Sequence, residues 1–127
     1  MKTKPSYAQL LAQRQQLLRQ LADWPPILRG TIRRHLNKCG NPHCRCHDAQ
    51  HPQRHGPYDY LSHRHGDKTQ TIFLNQAKRS HAAAWVDNYH RLIETIYQLS
   101  EINFQILRYH YEKLAPQADS AHGSRAD

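Results

Sequence analysis

One stretch, Cys39–Tyr60, limits what this chain can fold into more than any other: C-G-N-P-H-C-R-C-H-D-A-Q-H-P-Q-R-H-G-P-Y-D-Y. It holds all three cysteines of the chain, Cys39, Cys44 and Cys46, with His43, His47, His51 and His55 among them and His35 just before. Thiolate and imidazole are the ligands that zinc prefers, and a closed structural site takes four of them in a tetrahedron, so a Cys₃His set is within reach. Cys44 and Cys46 are one residue apart, which no single helix face accommodates, and Gly40 with Pro42 favours a tight turn between Cys39 and Cys44. The spacing reads as a metal knuckle. His55 is the first choice for the fourth ligand, because enough chain precedes it to fold back and Gly56-Pro57 with an extended run follows it. His51 and His47 are the alternatives. An odd cysteine count argues against a pure disulfide framework. The residues after Met1 lack the apolar run of a secretory leader, so a reducing, cytoplasmic setting is expected, where clustered cysteines bind metal.

A metal is also expected on energetic grounds. The chain has 127 residues, of which 38% are hydrophobic, which implies one domain with a small core, and small cores need a staple. No apolar run approaches the roughly 20 residues of a membrane span. Charge is uneven. Arg29–Arg79 carries ten Lys/Arg against three acids, net +7, whereas Ser80–Asp127 is net −2 and the whole chain +8. The positive field belongs to the metal-bearing middle, and nucleic acid is the expected polyanion, DNA ahead of RNA. Arg29, Arg33, Arg34, Lys38, Arg45, Arg54, Arg64 and Lys68 are the candidate phosphate contacts.

The coarse pattern is α+β. A helix is expected over 6–23, with Tyr7, Leu10, Leu11, Leu17, Leu18 and Leu21 at intervals of three and four, and Trp24-Pro25-Pro26 ends it. A strand-like run over 27–38 enters the metal loop, and Ile32, Arg34 and Leu36 share one of its sides. Two β-favouring runs, 58–64 and 68–74, flank His65-Gly66-Asp67 as a hairpin. The three runs form a small zinc-stapled antiparallel sheet, ribbon-like, over 27–74. A long helix over 76–114 carries an apolar stripe from Trp85 to Leu114 with partial heptad step, longer than the sheet can cover. It requires either a hairpin with the first helix or a dimer of the coiled-coil kind, and Asn103 falls within the stripe. Residues 1–115 read as a single domain and 116–127 as a disordered tail.

The run C-G-N-P-H-C-R-C, then H-G-P-Y-D-Y-L-S, K-T-Q-T-I-F-L and W-V-D-N-Y-H-R-L, resembles a family of small prokaryotic proteins with no assigned activity. They carry C-G-x-x-x-C-x-C and H-G-P-Y-x-Y-L-S. The resemblance covers about Gly30 to Leu107. It implies Cys39, Cys44, Cys46 and His55 as one set, and a location near transposases and other mobile elements.

Two functions follow as expectations. The first is a zinc-stabilised nucleic-acid-binding module accessory to a mobile element, in which Tyr58 and Tyr60 either stack on bases or, the favoured reading, pack in the core. The second is an adaptor whose long helix recruits a protein such as a transposase, or pairs with a second copy. An enzyme is not expected: thiolates committed to a metal are poor nucleophiles, and His63-Arg64-His65 has no acidic or tyrosine partner motif.

Overall fold

The computed structural model describes residues 3–116. The expected disordered tail, 116–127, therefore lies outside the described residues apart from Pro116. Among them no helix is long and apolar enough to cross a membrane. Two compact units are present, one formed by Asp23–Glu94 and the other by the described parts of Met1–Ala22 and Thr95–Asp127.

The first unit, the head, is a three-stranded antiparallel sheet with β2 in the centre. Its strands are β1 (Thr31–Asn37), β2 (His55–His65) and β3 (Lys68–Leu74). β2 and β3 form the expected hairpin, with His65 opposite Lys68. Gly66, at φ 64°, takes the left-handed turn conformation that glycine adopts without a Cβ penalty. Alternation along the strands sends Ile32, Leu61 and Leu74 to one side. There Leu61, Leu74 and Ala82 are buried, with Leu28, Ile32 and Val86 packed around them. Ala82 and Val86 belong to the start of the long helix α2 (Gln76–His110). Asn75 caps that helix, its Oδ1 accepting the Lys78 amide at 2.8 Å. The Trp24–Leu28 segment is tied along α2 as well: the Trp24 indole donates to the Asn88 carbonyl at 3.1 Å, and Asn88 Nδ2 donates to the Pro26 carbonyl at 2.9 Å.

The second unit is a helical hairpin. Helix α1 (Tyr7–Ala22) begins with a reciprocal cap, in which the Ser6 amide donates to Gln9 Oε1 and the Gln9 amide donates to Ser6 Oγ. Leu10, Ile102 and Ile106 form its core, flanked by Tyr7, Leu11 and Leu17. Contacts between Tyr7 and His110 and between Arg14 and Asn103 set α1 antiparallel to the second part of α2. Of the two expected covers for the long stripe, the attached helix is present. Asn103 is exposed and accepts from Arg14 Nη1 at 3.3 Å, so it is no buried register device. α-Helical geometry stops at His110, four residues short of the expected Leu114, and Tyr111–Lys113 is a single 3₁₀ turn.

Candidate metal centre and open sheet face

The chain between β1 and β2 folds back on itself through local bonds. The Cys44 amide donates to the Asn41 carbonyl and the His47 amide to the Cys44 carbonyl, which closes a 3₁₀ turn over Arg45–His47. Asp48 Oδ1 then accepts the amides of Gln50 and His51 at 2.8 and 3.2 Å. Those two bonds hold its carboxyl below the usual carboxylate range. The Gln53 amide returns to the Arg45 carbonyl, and His55 opens β2.

The result brings Cys39, Cys44, Cys46 and His55 together, with all four ligand atoms within 4.8 Å of one another. Cys39 Sγ lies 3.5 Å from Cys46 Sγ, and Cys44 Sγ lies 3.2 Å from His55 Nε2. Cys46 is fully buried, and its sulfur accepts the Cys39 amide at 3.3 Å. Such N–H···S bonds fix thiolate ligands in place. The Cys44 thiol is held down to about 6, first by the backbone amide of Cys46 and then by the thiols of Cys39 and Cys46 and the His55 ring. Burial pushes the Cys46 thiol up. The group can hold a metal ion. His47 is diverted: its Nε2 is 2.6 Å from the Cys39 carbonyl oxygen. His51 contributes its backbone to the loop, and its side chain is exposed outside the cluster.

A bulge aims His55. Between the pairs His35↔Tyr58 and Asn37↔His55, one residue of β1, Leu36, faces two of β2, Gly56 and Pro57. The extra residue reverses the in-out alternation beyond it. His55 therefore lies on the side of Asn37 and Tyr58, and lines a hollow of about 250 Å³ with Asn37, Lys38, Cys39 and Tyr58. Gly56 sits at φ 115°, and a Cβ there would meet the His35 carbonyl oxygen and the Tyr58 amide at 2.9 Å, so the bulge requires glycine.

The sheet side opposite Leu61 and Leu74 carries aromatic rings. Tyr60 faces Phe73 across the β2–β3 ladder, with ring centroids 5.9 Å apart, and Tyr58 meets the same Phe73 at 6.0 Å. His35 completes the row beside Tyr60, whose hydroxyl accepts from Asn37 Nδ2 at 2.9 Å. Phe73 is 50% exposed and Tyr58 36%. Tyr60 between them is half-buried, and neither tyrosine joins the apolar cluster of Leu61, Leu74 and Ala82, so the favoured reading that both pack in the core is corrected. α2 packs on the other side, where the apolar cluster lies. Phe73 was missed, although counting back from a two-residue turn at Gly66-Asp67 already sets it opposite Tyr60.

The eight candidate basic residues divide by position. Arg33 shares the aromatic side, paired with Tyr60. Arg29 and Arg64 meet at the end of the sheet away from the cysteines, lining a hollow of about 380 Å³ with Thr31, Ser62, Thr69, Tyr89 and His90. Lys38, Arg45 and Arg54 are exposed around the cysteine loop, and Lys68 is exposed at the hairpin turn. Arg34 stands apart. It faces the helix side, where its Nε bonds Asp59 Oδ1 at 3.0 Å while Arg79 Nε bonds Asp59 Oδ2 at 3.0 Å.

Residues 7–83 match a family described as Domain of unknown function (DUF6788), and the chain belongs to that family. The match spans the first helix, the cysteine loop, the whole sheet and the start of α2. No curated protein and no solved structure matches the chain.

Proposed function

We propose that the head is a zinc-stabilised module that binds nucleic acid, with bases on its open aromatic face and phosphates on the surrounding arginines. Zinc fits the donor set. A tetrahedral ion with ligands at about 2.0–2.3 Å needs donor atoms about 3.3–3.8 Å apart, and the 3.5 and 3.2 Å separations need only a small adjustment. Three thiolates and one neutral imidazole leave the zinc site at net −1, which exposed Lys38 and Arg45 offset locally. Those two are therefore weaker phosphate candidates than Arg29, Arg33 and Arg64.

The observation that carries the proposal is the row His35, Tyr60, Tyr58 and Phe73 on a sheet side with α2 packed on its reverse, bordered by arginine. Aromatic rings in a positive groove are how sequence-tolerant single-strand binders hold bases, at about 1–3 kcal/mol per stacked base. Base faces are available in a single strand and hidden in a duplex, so single strands are the preferred form. The resemblance to proteins near mobile elements supports DNA over RNA and an accessory role there. Binding without catalysis suits a site whose thiols are committed to the metal.

The test is fluorescence anisotropy of the zinc-loaded chain with single-stranded DNA, an abasic strand of equal length, duplex DNA and single-stranded RNA, each over a salt series. Arg34 belongs to an internal ion pair, so the informative double substitution is Arg33→Ala with Arg64→Ala. It should weaken binding to every strand and flatten the salt slope by about 0.7 per lost single-strand contact. Phe73→Ala should cost roughly ten-fold on base-bearing strands and nothing on the abasic one. Binding that ignores both salt and the double substitution would sink the proposal.

A second reading, the helical adaptor, is favoured by one observation: α1 leaves an apolar side of α2 exposed.

A further inference from the structure

The second part of α2 carries two apolar stripes. Ile102 and Ile106 are buried against Leu10. Tyr97 and Phe104 stand seven residues apart on another side, with Ser100 and Leu107 three residues after each, while Tyr111 and Leu114 keep the spacing in sequence beyond the helix end at His110. At about 100° per residue, Phe104 stands roughly 160° round the helix from Ile102. α1 therefore cannot cover both. Tyr97, Phe104, Leu107, Tyr111 and Leu114 remain 64, 57, 62, 67 and 40% exposed. Large apolar side chains left exposed together as a ridge on one side of a helix mark an interaction surface.

We propose that a second copy of this chain covers the ridge, with the two α2 helices antiparallel about a two-fold axis close to Phe104 and Leu107. Tyr97, Ser100, Phe104 and Leu107 fill the first and fourth positions of two helical seven-residue repeats, the seam of a helix pair, and such a seam is self-complementary, as a two-fold interface requires. Charge fixes the direction. Glu94, Glu101 and Arg108 occupy one seven-residue column beside the seam, acidic in the earlier turns and basic in the later one. Antiparallel pairing sets the same column of the two copies side by side, so that Glu101 meets Arg108 of the partner subunit, twice per dimer. Parallel pairing would set that column against the one holding Ile96, Asn103 and His110, which offers no carboxylate, and whose His110 is already engaged with the Pro5 carbonyl at 2.9 Å. Within one chain Glu101 accepts from Gln105 and Arg108 lies over the Tyr109 ring, and both line a hollow with Phe104 and the chain's own Thr3–Pro5. This inference is independent of nucleic-acid binding by the head.

Light scattering on the zinc-loaded full chain tests it. At about 100 µM, where a micromolar complex is saturated, the mass should be about twice 14.9 kDa. Phe104→Glu should raise the dissociation constant at least ten-fold, with helical circular dichroism and zinc content unchanged. Should that variant lose helix, the charge pair decides: Glu101→Arg and Arg108→Glu should each weaken the dimer, and the two combined in one chain should restore it. A monomer at that concentration, a dimer indifferent to Phe104→Glu in a folded variant, or single and double charge variants of equal strength would each overturn the proposal. The last outcome would remove the antiparallel direction in particular.

Discussion

The head and the helical hairpin reach order by different routes. The head has three strands, the fewest that give a sheet independent stability, and a small buried apolar cluster of Leu61, Leu74 and Ala82. Its cysteine loop from Cys39 to His55 shows one buried residue, Cys46, and every apolar side chain of the cluster lies elsewhere. The hairpin combines a local reciprocal cap at Ser6 and Gln9 with an apolar contact distant in sequence, Leu10 against two residues of α2. In the head, four ligand atoms able to share a metal ion would do for the loop what Leu10 does for the helices. The difference teaches that a polar, histidine-rich segment without a hydrophobic core of its own gathers its donors instead, where a bound metal would staple it.

The largest effect that should separate the two is metal removal. Structural zinc sites hold apparent binding free energies of about 10–16 kcal/mol, and that energy is folding energy. Cys46→Ser, or chelation, should abolish binding of the metal and remove hydrogen-exchange protection from β1 and from the start of β2. Amides around Leu10 should keep theirs. Simultaneous loss of protection in both regions would erase the contrast drawn above. Next in size is Ile106→Ala. Ile106 is 2% exposed, and such a truncation costs about 2–5 kcal/mol. A lower urea midpoint with unchanged metal stoichiometry is expected, and released metal would show that the hairpin's core also supports the site. The smallest effect concerns Asp59. The Arg34 side chain, chiefly, and then Arg79 hold its carboxyl below the usual range. The folded state thus favours the charged form, so the stabilisation is present above the ordinary carboxylate value near 3.9 and fades as pH falls through the depressed one. Urea midpoints measured from about pH 5 downward should fall less steeply for Asp59→Asn than for the parent chain. Parallel curves would remove Arg34 and Arg79 from the account of the head.

Much of this was legible in the sequence, and the remainder was hidden for definite reasons. The donor set could be read because cysteine and histidine spacing admits few tetrahedra and favours His55, although the bond that diverts His47 to the Cys39 carbonyl is one that no spacing shows. The hairpin could be read from Gly66 and the β-favouring runs beside it. The internal role of Arg34 could not, since it depends on the first turn of α2 bringing Arg79 to Asp59, three residues distant from one another in sequence by 25 and 20 positions. Likewise, apolar residues from Trp85 to Leu114 read as one stripe. Only the position of α1 shows that Ile102 and Ile106 face inward while Phe104 and Leu107 do not.

The bulge at Gly56-Pro57 also governs which changes of length the chain can absorb. A β-strand has a side-chain parity of two, and the bulge acts as a phase shifter that sets His55 in step with Asn37 while leaving Leu61 in step with Ile32. A residue added or lost between Asp48 and Arg54 alters the slack of an exposed loop. A residue added or lost between Gly56 and Tyr60 would put ligand and core out of phase, sending one of the two to the wrong side of the sheet. Length variation among relatives should therefore collect before His55 and be purged just after it.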